Sequence, residues 1–116
     1  MSLISDIKFN GVNMRSIDFN KKVWAALKLI PQGRVATYKD LAKYLDRPKA
    51  ARAVGNACGS NPNAPKVPCH RVVRSDGELG GYSGGGKKKM ELLEKEGIKI
   101  DRGKIKDFKD KLYKFK

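Results

Sequence analysis

Two stretches of this chain cannot be helix or sheet, and they lie close together. Residues 61–68, Asn-Pro-Asn-Ala-Pro-Lys-Val-Pro, hold three prolines, and residues 80–86 hold five glycines. Proline lacks the amide hydrogen that both backbone ladders need, and glycine loses the most conformational entropy on being ordered. Regular structure is therefore confined to the residues before Asn61, one short piece between the loops, and the residues after the glycines. The piece between them, Cys69-His70-Arg71-Val72-Val73-Arg74, reads as a strand closed by β-branched residues, with Ser75-Asp76-Gly77 as its turn. It carries the single histidine of the chain and one of its two cysteines.

Ahead of the first loop the periodicity is helical. Val23, Trp24, Leu27 and Ile30 share one face of a helix that Asp18 or Asn20 can cap and that Pro31-Gln32-Gly33 ends. Val35-Ala36-Thr37 reads as a short extended piece, and Thr37 caps a second helix, Tyr38 to Leu45, with Leu41 and Leu45 inward. Asp46-Arg47-Pro48 breaks it, and a third helix runs from Lys49 to about Ser60. Two short helices with a tight turn between them have the form of a helix-turn-helix. The third helix is small nearly all round, with one long cation, Arg52, in its middle. Small side chains suit close helix packing, and they equally let a backbone press into a groove; the groove reading is favoured. After the glycines a last helix reads from Gly86 to Glu96, with Met90, Leu92 and Leu93 inward and Gly97 at the C′ position. Near the N-terminus, Asn10-Gly11 between Ile7-Lys8-Phe9 and Val12-Asn13-Met14 is a hairpin signal. The expected fold is mainly α with a small β component, a winged-helix-like helix-turn-helix.

The charge supports a polyanionic partner. With 26 Lys+Arg against 12 Asp+Glu in 116 residues the formal net charge is +14, the footprint of a nucleic-acid binder as much as of a well-solvated surface. No run of apolar residues is long enough to span a bilayer, and no signal peptide is recognised, so a cytoplasmic location is expected. From Ile98 onward eight Lys/Arg face three Asp. Phe108, Leu112 and Tyr113 could give that tail one apolar face, as a docked basic helix or a mobile polybasic extension. The domain reading is thus a lead-in over 1–19, a body over 20–97 and a basic tail over 98–116.

Cys69 followed by His70 has two readings. An isolated buried cysteine is usually a small hydrophobe. A thiol beside an imidazole is an activated nucleophile, because the thiolate reacts and the imidazole can remove its proton. Neighbours on a strand point to opposite faces, so direct contact would need an irregular backbone, which Pro68 makes reasonable, or a bridging water. Cys58 reads as packing. Two cysteines and one histidine fall one ligand short of an all-Cys/His zinc site, so no metal is expected.

Taken together, the motifs resemble those of the O6-alkylguanine-DNA alkyltransferases. Pro68-Cys69-His70-Arg71-Val72-Val73 is similar to that family's active-site motif. Thr37-Tyr38-Lys39-Asp40-Leu41-Ala42 resembles its first helix-turn-helix helix, Ala51-Arg52-Ala53-Val54-Gly55 its recognition helix, and Asn61-Pro62 the hinge beyond. Gly80-Gly81-Tyr82-Ser83-Gly84-Gly85 resembles its active-site loop, and Leu92-Leu93-Glu94-Lys95-Glu96-Gly97 its closing helix. The resemblance implies that Cys69 accepts an alkyl group from O6 of guanine, with O4 of thymine a second candidate, in a reaction that consumes the protein and so needs no cofactor. His70 would act as base through a water, oriented by Glu96. Asn61 would bridge the recognition helix and the active-site segment, and Tyr38 would donate to guanine N3. Duplex DNA would be met in the minor groove by Thr37, Tyr38, Ala51, Arg52, Ala53, Gly55 and Asn56, with Arg52 replacing the flipped base. Pro65, Val72, Ser75, Gly80, Tyr82, Ser83 and Gly84 would line the base pocket. The implied protein is a monomer acting on double-stranded DNA that contains O6-alkylguanine.

Two features depart from the family pattern: about 20 residues stand where an N-terminal α/β domain is usual, and the basic tail is long. Two other function classes compete. An alkyltransferase-like lesion-binding protein would lack the acceptor cysteine, which stands here intact. An ordinary winged-helix regulator would leave Asn61, Glu96 and the glycine loop without a reason.

Overall fold

The structure, a computed structural model, describes residues 19–115 and, ahead of them, only the backbone of Lys8–Phe9 (β1) and Val12–Asn13 (β2). These two strands pair antiparallel with Phe9 opposite Val12, which leaves residues 10 and 11 as the connection. That connection lies outside the described residues, as does the expected cap Asp18. Asn20, the other expected cap, is instead the second residue of helix α1, Phe19–Leu27.

Helix α2, Tyr38–Tyr44, starts as its sequence requires: the Thr37 hydroxyl accepts from the Asp40 amide at 3.0 Å. It stops in a Schellman turn, with the Arg47 amide donating to the Ala42 carbonyl and the Asp46 amide to that of Lys43. Asp46 supplies the left-handed residue, φ 65°. Helix α3, Ala51–Gly59, then packs across α1 and α2, burying Val54, Ala57 and Cys58. The Trp24 indole donates to the Ala57 carbonyl at 2.7 Å, which ties α1 to the last turn of α3.

Between the loops the strand expectation is only half met. Cys69–Arg71 is a 3-10 turn, and the strand β4 is Val72–Val73 alone. Pro68 adopts φ −84° and ψ 65°, an inverse γ-turn that lets the Cys69 amide bond the Val67 carbonyl at 2.9 Å. The chain enters Cys69 already turning, and pleating begins three residues later. β4 lies parallel to β3, Ala36–Thr37, in the register Ala36↔Val72 and Thr37↔Val73.

Alternation along this ribbon divides the interior in two. Ala36 and Val72 face a core with Val23, Leu27, Ile30, Leu41 and Val54. Val35 and Val73 face a second core with Leu93, Ile98 and Ile105. Leu93 belongs to helix α4, Gly86–Lys95, which ends as expected with Gly97 at φ 90° and the Ile98 amide on the Leu93 carbonyl. Its inward face differs from expectation. Lys89, one turn before Leu93, is fully buried, whereas Met90 and Leu92 are half-buried.

The basic tail is docked, and most of it is not helix. β5, Ile100–Asp101, and β6, Lys104–Ile105, form an antiparallel hairpin, followed by the one-turn helix α5, Phe108–Lys111. Phe108 and Ile105 join the second core, each buried apolar side chain contributing about 1.5–3 kcal/mol. The Val35 amide donates to the Lys111 carbonyl at 2.9 Å, and the Tyr113 amide to the Val35 carbonyl at 2.7 Å. Phe115 stacks on Tyr44, with ring centres 4.9 Å apart.

Candidate active site

A cavity of about 770 Å³ opens between α3 and the glycine loop. One wall is the small face of α3, with Ala51, Arg52, Gly55 and Asn56. The other is Arg74, Ser75, Gly80, Gly81, Tyr82 and Ser83, and Tyr38, Lys39, Gly59 and both cysteines complete the lining. The small residues of α3 therefore serve both readings of that helix: Val54 and Ala57 pack inward while Gly55 and Asn56 border the cavity.

Cys69 is 3% exposed and sits at the start of the 3-10 turn, so His70 follows at roughly a third of a turn, where a strand would have sent it to the opposite face. The imidazole is buried. Its Nε2 meets Glu96 Oε2 at 2.8 Å, and its Nδ1 has no partner among the described residues. With a carboxylate on Nε2, that nitrogen carries the proton and Nδ1 is left as the acceptor. Burial pulls the His70 pKa below its ordinary value against the opposing pull of Glu96, so the neutral ring, the form able to act as a base, predominates at pH 7.

Glu96 is itself held. Arg71 Nε donates to Oε1 at 2.9 Å and Arg71 Nη2 to Oε2 at 2.8 Å, a bidentate fork, while Nη1 donates to the Ile30 carbonyl at 2.7 Å. Burial raises the Glu96 pKa, but the hydrogen bonds from Arg71 and His70 outweigh it and leave the carboxyl below its ordinary value. The C-cap of α4 and the 3-10 turn are thus joined at one carboxylate, and Arg71 extends the link to Ile30, beyond the end of α1.

Beside this network stands a second one. Lys89 Nζ donates to the carbonyls of Val72, at 2.7 Å, Gly81, at 3.1 Å, and Leu79, and approaches the Tyr38 hydroxyl at 3.4 Å. Burial lowers its pKa from 10.5 to about 8, so the ammonium, with three protons for three carbonyls, still predominates at pH 7. Tyr38 is pushed up to about 12, first by burial and then by the two cysteines, and stays a hydroxyl donor. Cys58 is likewise pushed up to about 12 by burial, which keeps it a thiol. Tyr82 stands edge-on to His70, ring centres 6.5 Å apart. Asn61 joins the end of α3 to the segment entering Cys69: its amide donates to the Val67 carbonyl at 2.7 Å and its oxygen accepts from the Asn63 amide at 3.0 Å.

The 6-O-methylguanine DNA methyltransferase DNA-binding domain model matches residues 18–98. The chain belongs to this family. It is 53% identical over 79 residues to a methylated-DNA–protein-cysteine methyltransferase of Salmonella typhimurium, covering 68% of this chain and 46% of that protein. The crystal structure of Mycobacterium tuberculosis OGT in complex with DNA superposes with a TM-score of 0.68 at 49% identity, over 72% of this chain and 51% of that one. S. pombe Atl1 in complex with damaged DNA containing O6-carboxymethylguanine gives a TM-score of 0.74 at 33% identity, over 83% of this chain and 94% of that one. The chain spans no more than about half the length of the curated relatives it matches.

Not every residue expected at this family's site reaches the cavity. Thr37 is buried as the cap of α2, and Ala53 lies off the cavity wall. Val72 turns its side chain into the first core, and its carbonyl, expected to line the pocket, is taken by Lys89. Pro65 is exposed on the proline loop, and Gly84 also lies off the wall, packed under Tyr82, where a Cβ would come within 2.9 Å of the ring. The sequence reading passed over Lys89 and Arg71. Arg71 was visible as the cation after His70; nothing local distinguished Lys89 from Lys87 and Lys88 beside it. Among the described residues no three His, Cys, Asp or Glu side chains gather to hold a metal, and no helix is long and apolar enough to cross a membrane.

Proposed function

We propose that the protein repairs DNA by taking an alkyl group from O6 of guanine onto Cys69, once per molecule. The observation that carries this reading is the buried imidazole with Glu96 on Nε2 and, among the described residues, no partner on Nδ1, directly after a cysteine that lines the cavity. The Cys69 proton passes to His70 Nδ1 through a water. The thiolate attacks the alkyl carbon in line, the new S–C bond forms, and the C–O6 bond breaks with its electrons left on guanine. The Tyr38 hydroxyl, retained by its raised pKa, donates a hydrogen bond to guanine N3 and so stabilises the departing base. The thioether is stable because the Cys69 thiolate is a poor leaving group from it, and Cys58, held as a thiol, is no nucleophile to take the alkyl group, so the reaction is stoichiometric. The base reaches Cys69 by flipping out of the duplex, with Arg52, exposed on α3, filling the stack. The unit over 20–97 supplies these groups, and the protein acts as a monomer in the cytoplasm.

A second reading is lesion binding without transfer, favoured by the fit to nearly the whole length of Atl1. One experiment separates the two: intact-protein mass spectrometry after mixing with an equimolar duplex containing O6-methylguanine. Transfer predicts the gain of one methyl group, mapped to Cys69 and absent in Cys69→Ala. Tight binding with no mass gain would replace the first reading by the second.

A further inference from the structure

Residues beyond Ile98 lie outside the segment the family model matches, yet they are built into the fold. The hairpin tip has the two successive positive φ values of a type I′ turn, Arg102 at 52° and Gly103 at 81°. The hairpin does not stand alone. The Leu79 amide donates to the Gly103 carbonyl at 3.3 Å, the Ile105 amide to the Gly77 carbonyl at 2.9 Å, and Glu78 bridges antiparallel to Lys104. β6 is thereby laid along residues 77–79, the stretch between Ser75 and Gly80 of the cavity wall. The tip is thus bonded, through the Leu79 amide, next to Gly80, which lines the cavity.

Its charge is out of keeping with a turn kept only for shape. Arg102 is a long side chain at a left-handed position that glycine or asparagine adopts with less strain. Arg102 and Lys104 are both exposed, and among the described residues neither makes an ion pair. We propose that the β5–β6 hairpin is a second wing, whose Arg102 and Lys104 contact backbone phosphates of the duplex seated across the cavity mouth. This inference rests on the DNA-repair reading above. Phosphate contacts of this kind add affinity and register without reading sequence, and each releases condensed counterions.

The test is the salt dependence of binding to a duplex containing O6-methylguanine, followed by fluorescence anisotropy. Three proteins are compared: the unsubstituted chain, Arg102→Asn/Lys104→Gln, and a control, Lys21→Gln/Lys28→Gln, which removes equal charge from exposed positions in α1 and just after it. Asparagine tolerates the left-handed turn, and transfer from the free base O6-methylguanine reports that the hairpin variant is folded. A slope of log affinity against log salt shallower by about 1.8 in the hairpin variant alone is the expected result, about 0.9 for each lost contact. Lys104→Gln by itself leaves the turn untouched and is expected to lower the slope by about 0.9. An unchanged slope in both hairpin variants, or an equal loss in the control, overturns the second wing while leaving the repair reading intact. Absence of salt-dependent binding by the unsubstituted protein overturns both.

Discussion

Two buried charged networks adjoin the cavity, and they are stabilised differently. In one, the Glu96 carboxylate is shared between the His70 imidazole and the charged Arg71 fork. In the other, Lys89 pairs with no carboxylate among the described residues and is held by backbone carbonyls of Val72, Leu79 and Gly81. The first network orients a reacting group. The second gathers a strand and a glycine-rich loop, which has few side chains of its own to hold its shape, around one ammonium. A side-chain partner permits local adjustment, whereas a ring of carbonyls ties the charge to the path of the chain. Losing the lysine should therefore disturb more structure than losing the arginine.

The largest effect is expected from Lys89→Met, which keeps the aliphatic stem but leaves three carbonyls without their donor. A loss of about 3 kcal/mol or more in urea unfolding, together with loss of methyl transfer, is expected. A stable variant with normal transfer would show that the loop holds itself. Arg71→Gln comes next, at about 2 kcal/mol, because Glu96 retains His70. Its signature is specific: without the guanidinium the His70 pKa rises, and the acid limb of the transfer rate moves to higher pH. NMR titration of the imidazole checks this, and a shift in the opposite direction would remove Arg71 from the control of His70.

The smallest effect is on pH-dependent stability. His70 and Glu96 both have folded pKa values below their unfolded ones, so the native state binds fewer protons than the unfolded chain. Their contribution is complete above the unfolded His value near 6.5 and is lost as pH falls through the folded values, first of His70 and then of Glu96. Lys89, lowered to about 8, makes stability rise again as pH climbs from there towards 10.5. Melting temperatures across pH should show both windows, and Lys89→Met should abolish only the alkaline one.

Much of the helical frame was legible because its signals are local. The Thr37 cap, the break at Asp46 and Gly97 at C′ each depend on a few neighbouring residues, and each is found where the sequence places it. The 3-10 turn at Cys69 was missed because β-branched Val72 and Val73 suggested a strand, while Pro68 had already turned the chain. The tail read as a basic extension with an uncertain helix; its hairpin at Arg102-Gly103 depends on pairing with residues 77–79, remote in sequence.

Residue type and order alone determined that a cysteine and a histidine adjoin between two loops that cannot be regular, behind a helix-turn-helix in a chain of +14 charge. Tertiary structure alone decided which of three consecutive lysines is buried. Lys87, Lys88 and Lys89 differ only in their angle about the α4 axis, and that angle acquires meaning once the helix packs beside β4 and the glycine loop. A burial cost of several kcal/mol for an ammonium is met only where carbonyls from distant parts of the chain converge, and no local pattern encodes that convergence.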